Sequence, residues 1–467
     1  VSLFRRKSIA DLVQQTQGKN SLKRDLSAWD LTLLGIGAII GTGIFVLTGT
    51  GAVTAGPALV ISFIIAGLAC AFAALCYAEF ASSVPVSGSV YTYSYATMGE
   101  FVAWIIGWDL VLEYLFAVSA VSVGWSGYFQ SILEGVGIHL PTVLTAAPGS
   151  KEGVTTYFNL PAFLIVIVIT FLLSRGIKES KAVNNIMVIV KVLVVLLFIG
   201  VGIFYVKPDN WTPFAPFGFF DGILPAASLI FFAYIGFDAV SSAAEETRNP
   251  QKDLPKGILW SLGICTVLYI IVTMIMTGIV PFKEFEGVAH PISLALKIAG
   301  QDWVAGFVSL GAIAGLTTVL LVMLYGQTRI SFAMSRDGLL PKVFSNVHPK
   351  YKTPFGTTWA LGLIAATIGG LIPLDKLAEL TNIGTLFAFT LVSIGVLVLR
   401  KTQPDLPRGF RVPWVPVIPL LAVASCLFLM AQLKAFTWIA FIIWLAIGMV
   451  VYFAYARKRS VLGGNQS

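Results

Sequence analysis

The stretch with the most chemistry in it carries almost no reactive side chains. Gly35-Ile-Gly-Ala-Ile-Ile-Gly-Thr-Gly-Ile-Phe45 sits inside an apolar run from Leu31 to about Val53, long enough for a bilayer core of roughly 30 Å. Each glycine in a helix costs about 1 kcal/mol relative to alanine, and this stretch holds four. The reading is a membrane helix that comes undone at Gly41-Thr42-Gly43. Unwound backbone survives at membrane depth only where it lines a cavity or a ligand completes its hydrogen bonds. The amides of Thr42 and Gly43 would then stand at a half-helix N-terminus, which suits a carboxylate. The carbonyls of Ile39 and Ile40, on the other side of the break, suit a cation. One broken helix could hold both ends of a zwitterion. The competing reading is that these glycines only allow helices to pack closely.

Ionisable residues within apolar segments come next. Asp109 and Glu113 lie four apart, on one helical face. Glu113 falls about 18 Å along its helix, near the membrane middle. Lys191, in Ile189-Val-Lys-Val-Leu-Val-Val195, lies about 14 Å into its span. A lysine there costs about 2.5–3.5 kcal/mol on the lenient insertion scale and should face the bundle interior. It either pairs statically with Glu113 or titrates during a working cycle. Phe231-Phe-Ala-Tyr-Ile-Gly-Phe-Asp238 repeats the first feature, with a glycine and an acid in mid-span among aromatics.

The elements that carry these residues follow from composition. The chain is 57% hydrophobic and 12% charged, with a mean hydropathy of +0.86, against about 25% charged residues in soluble domains. It reads as an all-α membrane protein. Windows of about 20 residues give twelve spans, starting near Asp30, Pro57, Met98, Phe158, Ala182, Gly222, Lys256, Trp303, Gly356, Lys376, Pro413 and Lys434. No cleavable signal peptide is expected, since the chain is charged and polar up to Asp30. With the N-terminus inside, basic residues favour the inner segments about fourfold, which orients both termini to the cytoplasm. The net charge of +8 is thereby explained by topology and calls for no nucleic-acid partner. The inner cations can meet anionic lipid.

The two glycine-interrupted segments are spans one and six. They are offset by five spans, and an odd repeat number inverts the second copy. Paired interrupted segments in corresponding positions mark a transporter's binding site. The chain divides into an N-terminal segment (1–29), a first five-helix repeat (30–206), an inverted second repeat (222–400), two further helices (413–456) and a tail (457–467). The first segment, with Ile9, Leu12, Val13 and Leu22, suits a short helix on the inner membrane face. The last two spans are open to lipid, a neighbouring chain or a small membrane peptide. The loop Pro85-Val-Ser-Gly-Ser-Val-Tyr-Thr-Tyr93 is either a flexible connection or a gate. Ala244 to Pro255 and the end of span eight from Gly326 through Pro341 read as solvated helix ends and turns.

Other chemistries fit poorly. Cys70, Cys76, Cys265 and Cys426 fall within spans as free thiols, and no metal-binding spacing occurs. His139, His290 and His348 fall in loops, so no span offers a histidine to an intramembrane enzyme. Charge rings or repeated filter loops that would suit a channel are absent from the sequence. No cofactor is called for.

Four motifs in order resemble the amino acid–polyamine–organocation transporters. They are the Gly-Thr-Gly break, Gly88-Ser-Val-Tyr-Thr-Tyr93, Glu245-Glu-Thr-Arg-Asn-Pro250 and Ala333-Met-Ser-Arg-Asp-Gly-Leu-Leu-Pro341. The resemblance covers nearly the whole chain and is strongest to the cationic amino acid transporter branch. It implies a five-plus-five inverted repeat and a secondary active transporter of L-amino acids in the plasma membrane. Coupling would be to protons by alternating access, with exchange of one amino acid for another as the rival. Carried over by position, Thr42 and Gly43, with Gly41, hold the substrate carboxylate. Carbonyls of Ile39, Ile40, Phe232 and Ile235 meet its ammonium. Phe231 or Phe232 closes over the side chain beside Ala233, and Met323 walls the pocket. Lys191 fills the place of a sodium ion, near the carbonyls of Gly37 and Ile40 and the hydroxyl of Thr317. Glu113 and Asp238 are further proton-carrying candidates. A methionine at 323, where animal cationic transporters resemble a serine, implies small or medium neutral substrates over arginine. The loop from Glu134 to Tyr157 has no cysteine, so no disulfide-linked heavy chain is expected.

Overall fold

The computed structural model describes residues 3–15, 24–86, 90–177 and 181–464. Those residues form helices with no named strand; two isolated bridges, Leu26 to Thr247 and Thr145 to Asn159, are the only β pairings described. In chain order the α-helices are α1 (Ile9–Gln15), α2 (Ala28–Ile39), α3 (Thr48–Ala55), α4 (Leu59–Ser83), α5 (Val90–Thr97), α6 (Glu100–Gly135), α7 (Leu160–Ser174) and α8 (Lys181–Gly202). There follow α9 (Leu224–Ile230), α10 (Pro250–Ile279), α11 (Pro291–Ile298), α12 (Asp302–Arg336), α13 (Phe355–Leu371), α14 (Leu374–Thr402), α15 (Val417–Ala431) and α16 (Ala435–Val451). Among the described residues eight stretches are long and apolar enough to cross a membrane, the first of them the interrupted Ala28–Ser83. Three apolar helices are shorter than expected, at 15 residues for α7 and α15 and 17 for α13. Prolines and a cap cut them back. Asn159 accepts the amide of Ala162 and Pro161 opens α7, while Pro354 and Pro416 stand just before α13 and α15.

The first membrane helix starts where its sequence says it must. Ser27 and Asp30 form a reciprocal capping box ahead of an apolar run. It then fails at Ile40, whose backbone is extended (φ −73°, ψ 109°). Thr42 is helical again, and a π turn over Gly43–Leu47 leads into α3. The break thus falls at Ile40–Gly41, slightly earlier than expected. Gly41 still contributes to the second half, since its carbonyl accepts the amide of Phe45 at 3.1 Å. The counterpart is α9, which tightens to a 3₁₀ turn at Phe231–Tyr234 and stops at an extended Ile235. Gly236 follows at φ +130°, a conformation other residues rarely adopt. Phe237–Glu246 then continues as a ten-residue 3₁₀ helix, unusually long for that type.

Two long helices, α6 and α12, run about 54 and 52 Å and pack along one another. Large aromatic residues of α4, α5 and α14 cluster in the core with those of the second interrupted helix. Phe80, Tyr77 and Tyr93 meet in one cluster with Phe237, Phe231 and Phe389. The loop read as a flexible connection or gate is in part α5, with Tyr91, Tyr93 and Tyr95 buried; residues 87–89 of that stretch lie outside the described residues. Ile9, Leu12 and Val13 are on α1, and Leu22 lies outside the described residues.

Candidate functional site

Two interruptions at similar depth make contact through their backbones. A Cβ added to Gly43 would lie 2.1 Å from Cα of Ala233, and one added to Gly236 would lie 2.5 Å from the carbonyl oxygen of Ala38. Neither position can carry a side chain while the helices lie this close. Ile39, Ile40, Thr42, Phe231, Phe232 and Ala233 are all buried, and Ile235 is partly so. Thr42 is the polar member of the set, and its buried hydroxyl has no hydrogen-bond partner. The first amides of the helix that begins there have no partner within the helix itself. Amide donors and a free hydroxyl together make a polar spot in an apolar core.

Carbonyls at and near the breaks are met from neighbouring helices. Tyr269 on α10 donates to the carbonyl of Ile39 at 2.9 Å, and Tyr128 on α6 donates to that of Phe45. Asn382 on α14 donates to the carbonyls of Ser228 and Leu229, both at 2.7 Å, at the end of α9. None of these three residues stood out in the sequence. Asn382 carried the available signal, an amide in the middle of an apolar span. The phenylalanine pair divides. Phe231 packs edge-on to Phe389 at 6.0 Å. Phe232 instead joins a small cluster with Leu47, Ala120 and Leu377, against which Phe116 and Ile235 pack. Met323 is half-buried on α12 and packs at the margin of the main core.

Lys191 reaches across from α8. Its ammonium donates to the carbonyl of Gly37 at 2.7 Å, one turn before the break. Its stem lies along α12, where a Cβ on Gly315 would sit 3.0 Å from Cγ and Cε. Val188 and Val194 seat in the same way against Gly37 and Gly311, each methyl within 2.4 Å of where a Cβ would be. Glycines of α2 and α12 therefore form the groove that admits α8, and packing and unwinding are both served by this glycine-rich sequence. The hydroxyl of Thr317 donates to the carbonyl of Ile313 and accepts the indole N–H of Trp125 at 3.0 Å.

The acids lie on another side. Asp109 and Glu113 face α14, where a Cβ on Gly384 would lie 3.0 Å from Oδ1 of Asp109 and 3.3 Å from Cβ of Glu113. Asp109 is fully buried with neither carboxyl oxygen hydrogen-bonded, and Oε2 of Glu113 is likewise unpartnered. Asp238 is within electrostatic reach of Glu113 and of Tyr77 and Tyr114. Among the described residues Glu113 has no ion pair, so the static Glu113–Lys191 pair is not formed. The two charges belong to different interfaces, α6 with α14 and α8 with α2 and α12.

The motifs at the ends of the long helices are tied together. Glu100, at the start of α6, accepts from Arg5 at 3.0 Å, Tyr95 at 2.9 Å, Tyr452 at 3.3 Å and Ser460. Asp337 accepts from Lys7 at 2.8 Å and Tyr91 at 2.7 Å, and its carbonyl accepts the amide of Val461. Thr247 pairs with Leu26, and Arg248 donates its amide to the Leu26 carbonyl. Asp337 and Thr247, in stretches read as solvated turns, are instead tied to the N-terminal segment, and with Glu100 they form a polar knot between residues 5–26 and 452–461. All four cysteines are buried and free.

The sequence has close counterparts among known proteins. Residues 26–452 match the amino acid permease family. The chain is 68% identical over 461 residues to a branched-chain amino acid permease of Bacillus subtilis, covering 99% of both chains. It is 58% identical over 462 residues to a methylthioribose transporter of the same organism, again covering 99% of each. A vacuolar cationic amino acid transporter of Arabidopsis thaliana is 41% identical over 411 residues, 86% of this chain and 68% of that one. The chain is a multi-pass membrane permease rather than an enzyme, and it belongs to the amino acid permease family of the amino acid–polyamine–organocation superfamily.

Proposed function

We propose that this permease takes up small and medium neutral L-amino acids together with protons, by alternating access across the cell membrane. The observation that carries the reading is the contact of two interrupted helices at Gly43 and Ala233, with an unpartnered Thr42 hydroxyl and helix-start amides beside it. The substrate carboxylate binds at Thr42 and Gly43 by charge-assisted hydrogen bonds. Its ammonium meets the carbonyls of Ile39, Ile40, Phe232 and Ile235; the Ile39 oxygen keeps a second lone pair beside the one taken by Tyr269. Phe232, packed with Phe116, closes over the side chain, and Met323 limits its length. The scaffold is twelve spans arranged as two inverted five-helix units plus two, with both termini cytoplasmic.

Lys191 supplies the coupling. Charged, it ties α8 to α2 through Gly37 and lies against α12; deprotonated toward the cytoplasm, it loses that tie and favours inward opening. Glu113 and Asp238 are the second carriers; Oε2 of Glu113 is buried without a partner, which is costly, and a proton removes part of that cost. Proteoliposomes with an alkaline interior and no sodium test this. Alanine, valine or leucine uptake should rise several-fold with the gradient and lose that dependence in Lys191→Ala. Uptake that follows the gradient equally in both proteins would remove Lys191 from coupling, and uptake that needs amino acid preloaded inside would make the protein an exchanger. Because one relative carries methylthioribose by name, that compound belongs in the competition panel. Its displacing leucine would move the substrate class.

A further inference from the structure

A second polar site lies at the far ends of α6 and α12, the face opposite the chain termini. It is a cleft of about 530 Å³ between Ser131, Glu134, Lys297, Asp302, Gly306 and Leu310, within the range of small-ligand sites, about 300–1,000 Å³. Lys297 donates to the hydroxyl of Ser131 at 2.8 Å and to its carbonyl at 3.3 Å, which leaves one of three ammonium hydrogens. Glu134 and Asp302 are exposed in the same cleft, and among the described residues no cation lies within 4 Å of either. The cleft thus holds charges of both signs apart. Such a surface complements a head bearing an anion and a cation a few ångströms from each other.

Its surroundings say what that head is attached to. Leu310, Phe307 and Trp303 of α12 are 57%, 60% and 64% exposed, and Val136 is 68% exposed. Trp303 and Phe307 meet edge-on at 6.2 Å. Exposed apolar surface rimmed by tryptophan is the mark of the lipid–water boundary. We propose that this cleft binds the head group of a zwitterionic aminophospholipid, its phosphate on Lys297 and its ammonium between Glu134 and Asp302, with the acyl chains along Phe307 and Leu310. This assignment is independent of the transport reading. The site also has a mechanical link to the interruption. Ser131 and Ser309 both bond to Ser293 at 3.0 Å, which fastens α11 to α6 and α12. The α11 helix begins next to His290, edge-on to Tyr128, and Tyr128 donates to the Phe45 carbonyl. A bound head group fastens α11 more firmly over the broken helix.

The test compares detergent-purified wild type, Lys297→Met and the double variant Glu134→Gln, Asp302→Asn. Phosphatidylethanolamine, phosphatidylglycerol and soluble phosphoethanolamine are added to each, with retention read by native mass spectrometry and stability by thermal shift. Wild type should retain phosphatidylethanolamine over phosphatidylglycerol and melt higher with it. Lys297→Met should weaken that retention by about tenfold, the scale of one charge-assisted contact. The double variant should bind both lipids alike. Equal retention of the two lipids by wild type, or unchanged retention by both variants, overturns the site. A thermal shift from phosphoethanolamine as large as from the lipid overturns the lipid assignment in favour of a soluble zwitterion. An unaltered circular dichroism spectrum shows that a variant is folded, and the double variant carries the test if Lys297→Met is not.

Discussion

Single residues set the cost of what this protein must do inside a membrane. Asn382 covers two carbonyls released at the end of α9, and its replacement by leucine leaves both without that donor. Each buried carbonyl left bare costs about 1–3 kcal/mol, so Asn382→Leu should lower the melting temperature by several degrees and depress leucine uptake. Asn382→Gln should recover little, because the longer side chain moves the amide. Met323 offers a test of specificity rather than stability. Under the proposed pocket, Met323→Ser should shift competition from alanine toward arginine by about tenfold, the worth of removing a few buried methylenes; arginine outcompeting alanine in the unmodified protein would refute the pocket. His290 supplies the pH term. Burial, aided by Lys297, pushes its pKa down from 6.5 to about 4, and Nδ1 has no partner. The unfolded chain takes up that proton first, so stability is full above about pH 6.5 and declines as pH falls toward 4. His290→Leu should melt with a shallower pH dependence between pH 7.5 and 5 than wild type, as differential scanning fluorimetry would read.

At the scale of elements, glycine placement decides both where helices stop and how near they lie. Gly43→Ala would drive a methyl into the backbone of Ala233, so transport should fall below detection even if the protein still reaches the membrane. Gly236→Ala meets the Ala38 carbonyl and a positive φ at once, and should be as damaging. A change at Gly263, where an added Cβ meets nothing within 4 Å, is the control. Much of this was legible beforehand. Four glycines in eleven residues announced trouble for a helix, and the glycine-plus-acid pattern at Ile235-Gly-Phe-Asp238 announced a second. Periodicity and hydropathy found the long spans but overextended α7, α13 and α15, where caps and prolines end helices inside apolar sequence. The partners of the broken backbone were not legible. Tyr128, Tyr269 and Asn382 are ordinary polar residues until the fold brings them from distant helices to one carbonyl each or two. Lys191 was visible as an oddity, yet Gly37 as its acceptor depends on α8 fitting a groove between two other helices.

For the whole molecule, charge and hydropathy fixed the class without any site, and the misread parts were the connections. Loops with mixed charge look solvated in sequence because burial of a charged group depends on partners that lie hundreds of residues away. Glu100 shows the same dependence: it is fully buried and satisfied by four residues from three parts of the chain, Arg5, Tyr95 and the C-terminal pair Tyr452 and Ser460. Removing one member of such a buried network costs about 3–5 kcal/mol, chiefly through the charges left behind. Glu100→Gln should therefore destabilise the protein more than Asp209→Asn on an exposed turn, as chemical denaturation would show.

The same knot closes residues 5 to 460 into a mechanical loop, since Arg5 and Ser460 grip one carboxylate. A single-molecule experiment that tethers residues near the two ends would load Glu100 before any helix is drawn from the bilayer. Its first rupture should be short in extension and vanish in Glu100→Gln, while the later, longer steps of helix extraction stay where they were.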